Sequence, residues 1–258
     1  MSRIKEITSA ENPHYKELRK LADTPRERRK SGKTLLDGVH LLEALAESGG
    51  VPDELIVREG EQAKPEIEKV IARFPEQTLV MLSPALFDAL SPVETPSGLL
   101  ALYTIPHTEI KNYQCAVLLE NIQEPNNIGA ILRTAAAAGV DAIFLSKGCA
   151  EAWSPKALRA AMGAHFVVAI HEHADLAAIA KNYKQVVATR LDARQSLYEL
   201  DLRGSTAFFF GNEGAGLSEE LSKAATHQVT IPMPGRMESL NVGAAVAVCL
   251  FERVRQGR

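Results

Sequence analysis

The chain is short of the residues that cross-link a fold or hold a metal. Its 258 residues include only three cysteines, Cys115, Cys149 and Cys249, each set in an apolar run. An odd, scattered set excludes a disulfide frame and a zinc site, and reads as reduced core thiols of a cytoplasmic protein. His171-x-His173 has no Cys or acidic cluster at ligand spacing, so no metal is expected. Long hydrophobic runs are missing too. No window reaches transmembrane length, and MSRIKEITSA has no apolar stretch behind its charges, so neither a membrane segment nor a signal peptide is expected. The single tryptophan, Trp153, stands beside Ser154-Pro155 and reads as a packing residue, not a base-stacking platform. Excess charge is also absent: a net charge of −3 argues against a protein that coats nucleic acid over its whole surface.

What is present is the composition of an ordinary globular protein, 46% hydrophobic and 24% charged, long enough for one large or two modest domains. The charge is unevenly spread. Residues 1–40 hold ten Lys/Arg against six Asp/Glu, with Arg28, Arg29 and Lys30 in a row. Charge alone leaves two readings of that row open: a solvated helix end, or a contact for RNA phosphates.

Apolar periodicity divides the chain in two. A basic helix is expected over residues 11–31. Strands follow at 34–36, 55–57 and 79–82, alternating with helices at 38–48, 64–73 and 84–90. This is a small α/β module. Ser31-Gly32-Lys33-Thr34 mimics a phosphate loop, but Glu27 stands where that motif needs glycine. A polar, proline-containing stretch then separates two apolar systems. The expected organisation is a first domain at 1–105, a linker at 106–113 and a second domain at 114–258.

In the second domain, strands are expected at 115–119, 142–145, 167–170, 185–188, 206–210 and 229–231. Helices are expected at 128–138, 154–162, 176–181 and 218–225. A last helix, 240–251, has only Asn241 as a strongly polar residue. It lacks a solvent face and should be covered on nearly all sides, by its own sheet and by a second copy of the chain. Gly243 and Ala247, one turn apart, would permit close approach at such a seam.

Three loops follow apolar strands, the position at which open α/β sheets bind ligands. The first, Glu120-Asn-Ile-Gln-Glu-Pro-Asn-Asn-Ile-Gly-Ala-Ile-Leu-Arg133, contains Asn126 or Asn127 as a candidate helix cap and Arg133 as a candidate phosphate anchor. The second, Gly211-Asn-Glu-Gly-Ala-Gly-Leu217, lets backbone approach a ligand. Its glycine order is not that of a dinucleotide fingerprint, which disfavours an NAD enzyme. The third runs from Ile231-Pro-Met to Ser239-Leu-Asn-Val. Ser239 as a helix cap and Asn241 as a first-turn residue are the plain structural readings there.

Together the loops resemble the three motifs of the SpoU (TrmH-like) RNA 2′-O-ribose methyltransferases, in order and in spacing. Trp153-Ser-Pro-Lys-Ala-Leu-Arg159 resembles the family segment between the first two. The first domain is more loosely similar to the ribosomal-protein-like substrate-binding module of many members, best at Gly38-Val-His-Leu-Leu-Glu-Ala44. The resemblance implies a SPOUT-class α/β domain with a deep trefoil knot, a homodimer, S-adenosyl-L-methionine as methyl donor and RNA as acceptor. Ribosomal RNA is preferred to transfer RNA, and an inactive knotted assembly factor is the alternative. Carried over by position, Gly211, Ile231 and Leu240 match cofactor contacts. Asn127, Arg133, Glu213, Ser239 and Asn241 match positions tied to catalysis or to the architecture of the site. Two departures stand out: Glu124-Pro125 where the family usually has Asp-Pro, and Gly243 where serine often follows the valine.

Overall fold

A computed structural model describes residues 4–91 and 96–257; Arg3, counted among the amino-terminal cations, lies outside them. The chain divides into two compact units, residues 1–107 with 153–166 and residues 108–152 with 167–258.

The first unit carries β1 (Ile4–Ile7), α1 (Pro13–Asp23), α2 (Pro25–Ser31), β2 (Lys33–Asp37), α3 (Val39–Glu47), β3 (Glu54–Arg58), α4 (Pro65–Arg73), β4 (Thr78–Leu82), α5 (Pro84–Leu90) and β5 (Leu99–Thr104). The sheet order is β1-β4-β3-β5-β2. β1, β4 and β3 run parallel, and β5 runs antiparallel to both of its neighbours. Leu18, Leu35, Ile56, Val80, Phe87 and Leu100 form its core. Proline opens α1, α2, α4 and α5, where its missing N–H has no intrahelical partner to lose.

The second unit begins with β6 (Cys115–Leu119), α6 (Pro125–Ala137) and β7 (Ala142–Leu145). α7 (Pro155–Ala161) and a short 3-10 turn at Ala164–Phe166 group with the first unit. The second unit resumes with β8 (Ala169–His171), α8 (Leu176–Ala180), β9 (Gln185–Thr189), β10 (Gln195–Ser196), β11 (Thr206–Phe210), α9 (Glu219–Ala224), β12 (His227–Thr230) and α10 (Val242–Gln256). All seven strands are parallel, in the order β10-β12-β9-β11-β6-β7-β8. The loops after β6, β9, β11 and β12 therefore leave the same edge of the sheet. Leu118, Phe144, Ala188 and Phe209 are buried on one face against Leu176, Ile179 and Leu221. Val117, Leu119, Phe208 and Phe210, alternate in sequence, are also fully buried. Burial of both faces explains the unbroken apolar runs of β6 and β11.

Several expectations change. The basic helix is two helices, broken at Thr24-Pro25 because a residue before proline is driven out of the helical region. β1 and β5 were not expected. The segment 153–166 groups with the first unit, whereas the sequence reading left 114–258 uninterrupted. There Trp153 is buried, stacks near Tyr103 with ring centroids 6.0 Å apart, and accepts a 2.9 Å hydrogen bond from Thr34 Oγ1 at its carbonyl. It is a packing residue.

α10 keeps part of its apolar surface open. Gly243, Val246, Cys249 and Leu250 are buried, while Ala244 and Phe251 are exposed. Gly243 is not on that open stripe. A Cβ there would lie 3.8 Å from Ala130 Cβ on α6, so its small size serves packing within the chain. No helix among the described residues is long and apolar enough to cross a membrane.

Candidate active site

The second and third loops meet the loop after β9 where β9, β11 and β12 end. A cavity of about 300 Å³ opens there, walled by Thr189–Leu191, by the 211–217 loop and by residues 231–245. Leu191, Phe210, Ile231, Met233, Leu240 and Val242 give it apolar walls, and Gly211, Glu213, Ser239 and Asn241 line it with backbone and polar groups.

A relay of three side chains ties the loops together. Asn241 Nδ2 donates to Asn127 Oδ1 at 3.0 Å, and Asn127 Nδ2 donates to Glu213 Oε1 at 3.0 Å. Glu213 also accepts from the backbone N–H groups of Gln123 and Glu124, at 3.3 and 3.4 Å. Burial alone would push the Glu213 carboxyl up. The Asn127 amide and the backbone donors outweigh it and hold the group below the ordinary glutamate range. The carboxylate is therefore charged and fully directed at the first loop.

Local chemistry sets each member. Asn127 is not the helix cap. Glu124 caps α6, accepting from Asn126 N–H at 3.2 Å with Pro125 in the first turn, which leaves both ends of the Asn127 amide for the relay. The glutamate that departs from the family pattern thus fills the cap. At α10 the cap is Asn241, whose Oδ1 accepts from Gly243 N–H at 2.9 Å; Ser239 lies outside the helix on the exposed loop. A serine at 243 would crowd this bond, since a Cβ there would lie 3.1 Å from Asn241 Oδ1.

The 211–217 loop folds back on itself. Asn212 and Gly216 exchange backbone hydrogen bonds at 3.0 and 2.9 Å, and Asn212 Oδ1 accepts from the N–H groups of Gly214 and Ala215 at 2.9 Å. Any side chain at Gly211 would overlap the backbone of Gly216 and Leu217, so glycine is obligatory there.

Arg133 is exposed on α6 and forms no ion pair among the described residues; it is not among the cavity-lining residues. Arg28 requires correction as a candidate RNA contact. Its side chain is 3% exposed, and Nη1 donates to the carbonyls of Leu21 and Ala22 at 2.6 and 3.1 Å, satisfying the end of α1. Arg29 and Lys30 are exposed. Sequence reasoning missed Glu120, whose Oε2 accepts from Ser218 N–H at 2.7 Å, and Asn212, whose Nδ2 donates to Asn121 O at 2.8 Å. It also missed the wall after β9. The rule that ligands sit beyond strand carboxyl ends pointed to that position.

Over residues 114–251 the sequence matches the SpoU rRNA Methylase family, and over residues 12–101 it matches the MRM3-like substrate binding domain. The 23S rRNA (guanosine(2553)-2'-O)-methyltransferase RlmP of Bacillus subtilis is 32% identical over 252 residues, which cover 96% of this chain and 98% of the relative. A solved RNA 2'-O ribose methyltransferase is 31% identical with a TM-score of 0.81, covering 98% of this chain and 99% of that one. The AdoMet-bound rRNA methyltransferase from Sinorhizobium meliloti is 27% identical with a TM-score of 0.86, covering 98% of each chain. With its three motif loops joined by side-chain hydrogen bonds, the second and third of them lining one cavity, the chain belongs to the SpoU rRNA methylase family and is an S-adenosylmethionine-dependent RNA ribose 2′-O-methyltransferase.

Proposed function

We propose that this protein methylates a ribose 2′-hydroxyl of ribosomal RNA, with the cofactor in the cavity beyond β9, β11 and β12. The Asn241–Asn127–Glu213 relay carries this reading, because it joins all three motif loops at that cavity. The match of the first unit to a substrate-binding domain, and a relative named for a 23S rRNA position, support ribosomal over transfer RNA.

The residues present fit S-adenosylmethionine. The cavity volume, about 300 Å³, suits a small cofactor, and its apolar walls and glycine-lined backbone suit a flat base and ribose. Gly211, Ile231 and Leu240 would hold it, largely through main-chain groups. When bound, the cofactor supplies an activated methyl group on a sulfonium sulfur. The chain's own task is positioning: Glu213, Asn127 and Asn241 fix the loops, and Ser239 offers a hydroxyl to the ribose. A guanidinium offers donors and no acceptor, so Arg133 serves as an anchor and not as a general base. Its exposed, unpaired guanidinium grips a phosphate of the target nucleotide and stabilises negative charge developing on the 2′-oxygen.

Arg29 and Lys30 contact RNA phosphates. The open stripe of Ala244 and Phe251 on α10 is covered by a second copy of the chain. The carboxy-terminal segment carrying β12 and α10 is threaded as a trefoil knot. The protein works in the cytoplasm, where its three free thiols stay reduced.

Calorimetry and turnover on the Arg133→Ala variant test the central assignment. Cofactor affinity should stay within about twofold of wild type, while methylation falls by about a hundredfold or more. Undiminished turnover would remove Arg133 from the mechanism.

A further inference from the structure

A second cavity, of about 610 Å³, lies at the other edge of the sheet from the relay. It is lined by residues at the amino-terminal ends of β6, β9 and β11, including Gln114, Lys184 and Ser205. Those strands are five residues long, so about 17 Å of sheet separates the two cavities.

Its lining combines free cations, free amides and aromatic surface. Lys111 and Lys184 are exposed and form no ion pair among the described residues. Arg203 also lines the cavity but is held by Asp201, with Nε and Nη2 each 2.9 Å from a carboxylate oxygen. Arg253 brings another cation to the lining residue Gly204, donating to its carbonyl at 3.4 Å. The nearby Asp141 is occupied, accepting from the backbone N–H groups of Gln114 and Cys115 at 2.8 Å each.

Tyr183 adds a hydroxyl donor to this lining. It lines the cavity and is only 8% exposed, yet its hydroxyl has no hydrogen-bond partner among the described residues. The ring is buried but the hydroxyl oxygen is not, so it faces solvent in the cavity and is open to a ligand. Burial pushes its pKa up, so the group remains a donor. Tyr113 differs: its hydroxyl donates to Glu109 O and meets His171 Nε2, both at 3.1 Å, which leaves its ring as wall.

We propose that this cavity is a second RNA-binding site that takes one nucleotide of a single strand. Lys111 and Lys184 take the phosphate, and Tyr183 donates to a phosphate or sugar oxygen. Asn112 and Asn182 face the base edge, and Tyr113 and Ile110 supply the apolar wall. A concave pocket suits a splayed-out nucleotide and not a duplex, whose bases stay stacked. The site rests on the reading of the protein as an RNA enzyme, and extends the RNA footprint to the far edge of the sheet.

Fluorescence titration of the full-length protein with a labelled single-stranded uridylate decamer, at several salt concentrations, tests it. The Lys111→Ala/Lys184→Ala variant should bind on the order of tenfold more weakly, with a salt slope shallower by about 0.7, the value for one single-strand phosphate contact. Tyr183→Phe should weaken binding several-fold with the slope unchanged. Cofactor affinity in both variants serves as the folding control and should match wild type. Unchanged decamer affinity and slope in the double variant would overturn the proposal, as would displacement of the decamer by uridine monophosphate at equal concentration. Neither result depends on whether the enzyme methylates ribosomal RNA, so the two readings fail separately.

Discussion

Asn127 occupies a position where the sequence invites a helix cap, and the structure gives that task to Glu124. Both residue types cap helices well, so sequence alone could not tell which one was left over. The same exchange occurs at α10, where Asn241 and not Ser239 makes the cap. Gly211 was easier to read, because a glycine directly after a buried strand signals close backbone approach; here that approach is to its own loop. The relay can be tested at one atom. Asn127→Asp replaces the donor facing Glu213 Oε1 with a second carboxylate, 3.0 Å away in the parent geometry. Wild-type Glu213 has a depressed folded pKa, so its contribution is complete above the unfolded value of 4.5 and is lost only as pH falls through the lower folded value. Cofactor affinity of the parent should therefore be flat from about pH 8 to pH 5. The variant should bind at least about tenfold more weakly at pH 8 and recover on acidification, as one carboxyl gains a proton and becomes a donor. A variant curve parallel to the parent's would show that Asn127 is not coupled to Glu213.

At the scale of elements, alternation and turn residues located most strands and helices, and charge misled where packing intervened. β1 was invisible because three of its four residues are exposed and two are charged, so it lacks an apolar pattern. β5 was lost because its apolar residues run into the polar linker stretch. Arg28 was grouped with its charged neighbours, since a residue count cannot see the carbonyls at the end of α1. Its role separates from theirs by measurement. Arg28→Ala should cost about 1.5–3 kcal/mol, the range for hydrogen bonds to a charged group, and lower the melting temperature. Arg29→Ala should leave melting unchanged and weaken RNA binding. Equal melting temperatures for the two variants would contradict the buried role. α10 offers a second test. Phe251 is 47% exposed on an otherwise apolar stripe, and a partner copy covering it would be repelled by a buried charge. Phe251→Glu should shift the mass measured by light scattering from dimer to monomer at micromolar concentration. A parent protein that is already monomeric would refute the dimer.

For the whole molecule, the α/β class and the doubly covered sheet of the second unit were legible, because strands buried on both faces leave unbroken apolar runs. The three loops could be joined from sequence only through family resemblance; composition and periodicity say nothing of a hydrogen bond between residues 127 and 213 or 127 and 241. The grouping of residues 153–166 with the first unit was not legible either, since α7 is short and carries no signal of its destination. The far cavity had no motif at all. It is assembled from the starts of three strands, positions that apolar pattern reading passes over. The central claim, methyl transfer to a ribose oxygen of ribosomal RNA through the joined loops, has a direct measurement. Unmodified ribosomal RNA is incubated with the protein and methyl-labelled S-adenosylmethionine, digested to nucleosides and separated. The label should appear in a 2′-O-methylated nucleoside with the parent protein and disappear with Arg133→Ala. Label in a methylated base, or none from a protein that binds the cofactor, would contradict the account.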